Sequence, residues 1–475
     1  MPKLPTQSIR DQSEGIIQAV DSSIRPPNSV YLAVNFLFDK ILGRAVLRPG
    51  ITQLGSQIRS GKTCLGLYDH ITSTGTKVPL ALFNNTDDAT AILSKYTASA
   101  WSNAKTGLTA SAKMRFETFL DTTIGVNGTD KISSADGSSW VTTGGDLDIG
   151  NAPAGTLVKE FLDKLYIAGV SGNLDRLYFS SVPTAGAISW TVDNGYIDIE
   201  PEEGTGPITA LAKVPGYLLI FKNRSLKRWD GVSTYPESMI KLGTFSQDSV
   251  VETRQSVFYF NQKGIFETVG SYPRKISRRI QDIIDAIPAS SYASIAGYGD
   301  NERVYFHIGN ITIGDLALAN CVITYHLDSQ TWTLLSFPKS MRKWSKYILS
   351  TEEERLITGD ADGNVWQILQ GVDDAGTDIN WLMQYHALEF GSRGRTKSLS
   401  KFVFYTKNVI NGSVSVRVDE FGDFKPIGNI NKTKMEVIKD LTGSYFEFRI
   451  QGKGKAASII GIDFPELDLD LNYTQ

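Results

Sequence analysis

The sequence predicts an all-β protein whose main domain is a β-propeller of six or seven blades. The chain holds 43 glycines, 19 tyrosines and 22 phenylalanines, and its strand-like runs follow one another between turn signals with no βαβ rhythm. Large aromatic residues recur at intervals that mostly lie near the roughly 40–50 residues of one four-stranded blade. We predict that they fill the wedges between adjacent blades. These blade-core aromatics are Trp101, Trp140, Trp190, Trp229, Phe266, Trp332 and Trp366.

Short turn motifs precede several of these aromatics. An aspartate stands four residues before three of the tryptophans, at Asp136, Asp328 and Asp362. Aspartate accepts the backbone angles of a tight hairpin turn, so the main interpretation is a structural turn repeated from blade to blade. Sialidase Asp-boxes and kelch blades use similar turns, which leaves a glycan-processing propeller as the alternative.

Three regions of the chain differ in their residue patterns. Residues 1–60 are typical of an extended N-terminal arm with first strands that pack with a platform. Residues 61–372 carry the blade rhythm and form the predicted propeller. Residues 373–475 lose the tryptophan repeat and have longer alternating strands, which predict a C-terminal β-sandwich or platform domain.

The 66 residues between Phe266 and Trp332 are too many for one blade. They contain five isoleucines at helical spacing, which form a continuous apolar stripe: Ile276, Ile280, Ile283, Ile284 and Ile287. We predict a helix that packs on the outside of the propeller. A helix presented to a neighbouring subunit is the alternative.

Composition excludes several classes of protein. The formal net charge is −3, so no bulk positive field attracts nucleic acid. Cys64 and Cys321 are the two cysteines, and we expect them to be reduced, which suits assembly in a reducing cytoplasm. The start of the chain lacks the apolar core of a signal peptide. The apolar stretch 31–38 is far shorter than the roughly 20 residues that cross a bilayer, so we expect no membrane-spanning segment.

Motifs for catalysis and cofactor binding are incomplete. Residues 55–63 look like a phosphate-binding loop, but five residues separate the glycines where that motif has four, and a strand rather than a helix follows. Residues 360–364 hint at calcium but lack the bidentate glutamate of an EF-hand. The four histidines have no metal-ligand spacing. We therefore expect no enzyme activity and no catalytic, cofactor-binding or metal-binding residues.

Charged residues of opposite sign cluster in the C-terminal region. The basic members are Arg393, Arg395, Lys397 and Lys401, and the acidic members are Asp463, Glu466, Asp468 and Asp470. These two sets could meet across a subunit boundary, where complementary charge would set register more than affinity. The alternative is that both sets are solvated.

Segments spread over most of the chain resemble the tail nozzle or hub proteins of short-tailed bacteriophages. Residues 35–43 and 48–51 resemble the start of these virion proteins. Residues 128–140 and 164–190 resemble other segments of the same family. Residues 388–405, with Leu388, Phe390 and the basic stretch before Phe402, resemble the C-terminal sheet domain of the family.

This resemblance implies a structural protein of the virion tail, assembled in the host cytoplasm. Six copies would form a ring that continues the portal–adaptor channel and conducts DNA during ejection without specific binding. The implied partners are the phage adaptor, or head–tail connector, protein and a tail fibre or tailspike, with no cofactor. Two other classes stay open: a propeller-type glycan-binding or glycan-cleaving tail component, and a cytoplasmic scaffold propeller.

Overall fold

The computed structural model describes ten stretches of the chain, and almost all of the secondary structure in them is β-strand. The described stretches are residues 7–9, 11–18, 25–39, 43–191, 195–200, 206–390, 396–407, 412–419, 422–455 and 458–469. The N-terminal strands are β1 (Gln7–Ile9), β2 (Gly15–Ile16), β3 (Ser29–Val30), β4 (Leu32–Val34), β5 (Phe36–Asp39), β6 (Arg44–Leu47) and β7 (Ile51–Gln53).

Small antiparallel sheets follow one another along the next 300 residues and form the blades. Blade 1 contains β8 (Cys64–Ile71), β9 (Lys77–Asn84), β10 (Thr90–Thr97) and β11 (Ala100–Thr109). Blade 2 contains β12 (Arg115–Phe119), β13 (Thr122–Val126) and β14 (Lys131–Ser134). Blade 3 contains β15 (Leu157–Phe161), β16 (Lys164–Val170), β17 (Asn173–Phe179) and β18 (Gly195–Asp198).

The remaining blades follow the same plan. Blade 4 contains β19 (Ile208–Val214), β20 (Tyr217–Lys222), β21 (Leu226–Trp229) and β22 (Glu237–Ile240). Blade 5 contains β23 (Val250–Glu252), β24 (Val257–Asn261), β25 (Gly264–Thr268) and β26 (Arg274–Lys275), and α1 (Gln281–Asp285) follows it. Blade 6 contains β27 (Ala296–Gly299), β28 (Arg303–Ile313), β29 (Leu316–His326) and β30 (Trp332–Ser336). Blade 7 contains β31 (Lys343–Ile348), β32 (Glu354–Gly359), β33 (Val365–Ile368) and β7.

The first strands of these sheets form a closed ring. Strands β8, β12, β15, β19, β23, β27 and β31 each contact the next one, and β31 returns to contact β8. Six blades are separate sheets, and the seventh position in the ring is taken by blade 6, which is one end of a nine-stranded sheet. The prediction of a six- or seven-bladed propeller is confirmed.

The N-terminal strand β7 closes the ring. It pairs antiparallel with β33, with Gln53 opposite Trp366 and Ile51 opposite Ile368. The propeller therefore begins near residue 51, ten residues before the boundary that the blade rhythm indicates. The first and last strands of the propeller segment thus pair with each other at the junction. Strand β7 could not be recognised from the sequence, because a strand of three residues carries no aromatic repeat.

Each predicted blade-core aromatic belongs to a different one of the seven apolar clusters of the structure. Trp140, Trp190, Trp229, Phe266, Trp332 and Trp366 are buried, and Trp101 is half-buried. Trp229, for example, packs with residues of blades 3 and 4. The Trp101 indole donates a hydrogen bond of 2.7 Å to the carbonyl of Leu54, at the junction of blades 7 and 1. A large ring thus lies at every contact between neighbouring blades.

A two-layered platform joins the propeller through blade 6. Its strands are β34 (Ile379–Gln384), β35 (Lys397–Lys407), β36 (Gly412–Val418), β37 (Lys425–Ile430), β38 (Lys434–Gly443), β39 (Phe446–Gly454) and β40 (Ser458–Leu469). One layer has the order β38-β35-β40-β6-β5, with β1 also on β40, and the other is the part β4-β34-β39-β36-β37 of the nine-stranded sheet. Phe36, Phe402 and Phe448 belong to their shared core. The predicted sandwich-like platform is confirmed, with N-terminal strands as members.

The nine-stranded sheet passes from the propeller into the platform through β4. This short strand pairs parallel to β30, with Val34 opposite Leu334, and antiparallel to β34 on its other side. The hairpin of β28 and β29 makes a second link. At its tip the carboxylate of Asp315 accepts two hydrogen bonds of 2.7 Å from Arg449 of β39. Propeller and platform are joined both by backbone pairing and by this ion pair.

The predicted helix is present but short. The segment forms a 3-10 helix at Ser277–Ile280 and then α1, which ends before Pro288. Four of the five isoleucines are buried in the core that blades 5 and 6 share with the platform: Ile280, Ile283, Ile284 and Ile287. The amide of Ile283 donates to the side chain of Gln18 in the N-terminal arm. The apolar stripe is therefore covered within this chain.

Candidate functional site: the ion-paired channel of the propeller

Charged side chains from several blades meet in the central channel of the propeller. An ion pair between blades 2 and 5 has to cross the channel, because other blades separate them in both directions around the ring. Arg115 of blade 2 and Asp248, directly before β23 of blade 5, form such a pair at 2.9 Å. The channel is thus bridged by side chains rather than open along its length.

The first group of these residues, the entry cluster, consists of Lys113, Arg115, Asp248 and Lys343. Lys343 of blade 7 lies 2.6 Å from Asp248, and Lys113 lies 3.3 Å from it. Lys113 is half-exposed, whereas the other three side chains are 7–16% exposed. Three cations therefore converge on one carboxylate at the end of the channel where the inner strands begin.

The second group, the inner cluster, consists of Glu117, Lys159 and Glu252. Glu117 lies two residues beyond Arg115 on β12, so its side chain leaves the same face of the strand one layer deeper. The amine of Lys159 lies 3.2 Å from Glu117 and 2.9 Å from Glu252. Here one cation is shared by two carboxylates, which is the reverse of the entry cluster.

The pKa shifts follow these two arrangements. In the entry cluster, burial and the repulsion of Arg115 lower the pKa of Lys343 to about 7, against the attraction of Asp248. Burial opposes the ionisation of Asp248, but the surrounding cations outweigh it and hold the pKa of this carboxyl well below its usual range. In the inner cluster, burial raises the pKa of Glu117, and the two glutamates raise the pKa of Lys159 despite burial.

Burial also shifts the pKa of groups that belong to neither cluster. Burial lowers the pKa of His307 and of His386 to about 3, raises the pKa of Cys64 and of Cys321 to about 12, and raises the pKa of Asp69 to about 7. Within the described residues, no three histidine, cysteine or acidic side chains are placed to hold a metal ion. In the same part of the chain, no helix is long and apolar enough to cross a membrane.

The Asp-containing turns have a structural role in this molecule. Asp136 accepts hydrogen bonds of 2.7 and 2.6 Å from the amides of Ser138 and Ser139. In the last blade the aspartate that organises the turn is Asp360 rather than Asp362. It accepts bonds from the amide of Asn364 and, at 2.8 Å, from the indole of Trp366.

The segment that looks like a phosphate-binding loop is an irregular connection between β7 and β8. The amides of Ile58 and Arg59 donate to the carbonyl of Gly363, so the segment packs against the turn of the last blade. Strand β8 follows, as the sequence predicts, and a helix N-terminus that would hold phosphate is absent from this described segment.

The two charged sets of the C-terminal region lie on neighbouring strands of one chain. Strands β35 and β40 pair antiparallel, with Lys401 opposite Glu466, Ser398 opposite Asp468 and Val403 opposite Asp463. Nothing is described of the side chains on β40.

The lysines of the basic set have partners within the chain. Lys397 is buried and donates to the carbonyl of Ser444, and Lys401 pairs with Glu436 at 3.3 Å. Arg393, Arg395 and Asp470 lie outside the described residues. A contact between the two sets across a subunit boundary stays a prediction.

The channel clusters were not predicted from the sequence. Their members come from different blades, in pairs that lie 42 to 135 residues apart in the sequence, and each one alone resembles an ordinary surface charge. One signal was available: charged residues stand two apart or adjacent on strands that begin a blade, at Arg115 and Glu117 and at Lys159 and Glu160. In a propeller the first strand of each blade lines the channel, so these positions were candidates for pairing there.

Comparisons with known proteins find only distant similarity to solved structures. No protein-family model and no curated protein matches the chain. Among solved structures it is similar to the AfRom2 CNH domain, with 10% identity and a TM-score of 0.42 over 67% of this chain and 99% of that one. It is similar to the Neurospora crassa Pan2 WD40 domain, with 6% identity and a TM-score of 0.40 over 69% and 98% of the two chains. It is also similar to the N-terminal domain of Nup159, with 8% identity and a TM-score of 0.38 over 68% and 95%.

Proposed function

We propose that this protein is a structural subunit of a bacteriophage tail, and that a ring of copies continues the portal–adaptor channel and conducts DNA during ejection. The observation that carries the proposal is the nine-stranded sheet that joins blade 6 to the platform. A sheet shared by two domains resists hinge motion between them, as a subunit of a load-bearing ring requires. The resemblance of residues 35–43, 48–51, 128–140, 164–190 and 388–405 to tail nozzle proteins supports the same assignment.

The DNA passage would lie between the copies and not within one propeller. Ion pairs such as Arg115–Asp248 and Lys159–Glu252 cross the propeller channel, and duplex DNA is far wider than the space that a single ion pair spans. The conduit therefore has to be enclosed by several subunits. The net charge of −3 suits a passage through which DNA slides, because phosphate contacts would hold it.

The platform offers an open strand edge for assembly. Among the described strands, β38 is the outermost of its layer, and Ile438 on it is 79% exposed. An exposed apolar side chain on an unpaired strand edge is a site at which another chain can add. We propose that six copies associate through this platform, and that the adaptor protein and a tail fibre or tailspike bind the assembled ring in the virion.

The test is the copy number in solution and in particles. We expect the purified chain to form a ring whose mass, measured by native mass spectrometry, corresponds to six copies, and the tail to contain the same number. The change Ile438→Lys should convert the ring into monomers. Its matched control is Val232→Lys, because Val232 is 85% exposed on a propeller loop and should leave the ring intact. A monomeric wild-type chain together with one copy per tail would refute the proposal.

A glycan-binding or glycan-cleaving propeller is the second candidate, and the charged channel is the observation that favours it. Such a site needs arginines and acids that converge at the propeller axis. The described channel clusters contain one arginine, Arg115, and their acids are engaged by lysines. Hydrolysis of, or saturable binding to, a bacterial surface polysaccharide that is lost in Arg115→Met would favour this candidate over the ring.

A further inference from the structure

The entry cluster has one partner for three cations. Lys113, Arg115 and Lys343 lie at 3.3, 2.9 and 2.6 Å from the carboxylate of Asp248, and no other acid pairs with any of them within the described residues. With one negative and three positive groups, the cluster has a formal charge of +2. The charge of Lys113 is open to solvent, whereas Arg115 and Lys343 are largely buried and share one carboxylate, so an anion that reaches this end of the channel is favoured electrostatically.

Hydrogen-bond donors are available at that position. The guanidinium of Arg115 has five N–H donors, yet among the described residues it makes an ion pair with Asp248 and donates no hydrogen bond. The amine of Lys343 is committed to both carboxylate oxygens of Asp248, at 2.6 and 2.8 Å. The amine of Lys113 donates one bond, at 3.3 Å, and its side chain is 49% exposed. A ligand that enters beside Lys113 would therefore meet open donors from both Lys113 and Arg115.

The opposite charge balance of the inner cluster shows that this surplus belongs to one end of the channel. Lys159 is shared there between Glu117 and Glu252, which gives that layer a formal charge of −1. An anion would be attracted to the entry cluster and repelled from the next layer. The field in the channel thus fixes how deep an anion can go.

We propose that the entry cluster binds a small oxyanion of the phosphate class, held by Lys113, Arg115 and Lys343 at the mouth of the propeller channel. A tetrahedral oxyanion presents several acceptor oxygens, which match the fork of an arginine and two ammonium groups that converge from different blades. The site is separate from the proposed assembly surface on β38, so it does not depend on the proposed function.

The ionisation of Lys343 gives the binding a pH dependence. With a pKa of about 7, Lys343 is partly neutral at neutral pH, and a bound anion favours its charged form. The groups that face it are Asp248, Arg115, Lys113 and the thiol of Cys64, whose pKa burial raises to about 12. Since Cys64 stays protonated and the arginine stays charged, binding should take up a proton at Lys343 and weaken as the pH rises above about 7.

The test is calorimetric titration of the full chain with sulfate, whose charge is constant between about pH 6 and pH 8.5, against chloride at equal ionic strength. We expect one sulfate per chain, bound about tenfold more weakly at the higher pH. Lys113→Ala, at a half-exposed position, should weaken binding about tenfold. Lys213→Met is the matched control: Lys213 pairs with Glu160 and is 42% exposed, and its loss should change nothing.

The change Asp248→Asn gives a test with the opposite sign. It removes the one competing negative charge and keeps the shape of the side chain, so sulfate should bind more tightly and should raise the melting temperature of this variant more than that of the wild type. Repeating the titration with inorganic phosphate and with a short single-stranded DNA distinguishes a free oxyanion from a nucleic-acid phosphate. Absence of saturable sulfate binding, equal binding in Lys113→Ala, or weaker binding in a folded Asp248→Asn would overturn the proposal.

Discussion

The entry cluster and the inner cluster occupy one channel but balance their charge in opposite ways. Lys113, Arg115 and Lys343 share one carboxylate, whereas Lys159 serves two. Each layer relieves its surplus at one titratable group: the pKa of Lys343 falls to about 7, and the pKa of Glu117 rises, with burial as the first cause in both. We therefore expect the loss of stability on removing a lysine from this channel to depend on how many carboxylates pair with that lysine.

Loss of the lysine of the inner cluster should have the largest effect. The change Lys159→Met removes the one lysine that pairs with both Glu117 and Glu252, whose side chains are 14% and 27% exposed, so we expect the free energy of unfolding to fall by about 3–5 kcal/mol. Urea denaturation measures this loss. The control is Lys455→Met, which removes an exposed pair with Asp373 outside the channel and should cost less than about 1 kcal/mol. Equal losses in the two variants would mean that the inner cluster is solvated.

The apolar contact between blades 3 and 4 provides a second change in the free energy of unfolding with which that loss can be compared. Trp229 is buried between blades 3 and 4, and Trp229→Ala should lower the free energy of unfolding by about 3–5 kcal/mol, as for other large buried aromatics. The same denaturation experiment applies. A loss below about 1 kcal/mol would show that the wedge is open to solvent, and the channel clusters would then be the main link between the blades.

Loss of a lysine from the entry cluster should have a much smaller effect. In Lys343→Met, Asp248 keeps Arg115 and Lys113, and a flexible apolar chain replaces a lysine that is only partly charged at neutral pH. We expect the free energy of unfolding to change by less than about 1 kcal/mol, since replacing a buried charge by an apolar group of similar volume is often neutral. A loss as large as that of Lys159→Met would remove the distinction between the two clusters.

The pH dependence of stability also separates the two clusters. The pKa of Lys343 is about 7 in the folded protein and near 10.5 in the unfolded chain, so the unfolded chain binds more protons between these values. Stability from this group should therefore rise as the pH increases from about 7 towards 10. Lys343→Met should abolish the rise. Thermal unfolding of both proteins over this range is the measurement, and an identical slope in the two would contradict the assignment.

The propeller could be predicted from the sequence because every wedge between neighbouring blades is filled by a side chain of the same kind. One large ring fills each wedge, so Trp140, Trp190 and Trp229 repeat at blade spacing, and the turns before them carry small polar residues. The platform was predictable from long alternating strands for a similar reason. A feature that repeats along the chain, or that follows a simple period, can be recognised from the sequence without knowing which segments contact each other.

Pairings between distant segments were not predictable in this way. Strand β4 has three residues, and nothing in them indicates that they join blade 6 to the platform. The channel pairs depend on which strands face each other across the ring, which follows only from the complete circle. The helix at α1 was predicted too long, because an isoleucine stripe also fits a 3-10 turn followed by a single helical turn against the same core.

The closing strand β7 has a consequence for how the chain folds during synthesis. Its partner β33 is made more than 300 residues later, so at roughly 5–20 residues per second the last blade stays incomplete for on the order of tens of seconds. Strands β4 and β6 wait longer still, because they pair with β34 and β40. During this time the hairpin of β5 and β6, with Phe36 opposite Leu47, lacks the platform strands that cover its apolar side chains in the folded protein. Apolar surface and strand edges that wait for late partners are prone to aggregation, so we expect this interval of synthesis to be the one in which the chain is most prone to aggregate.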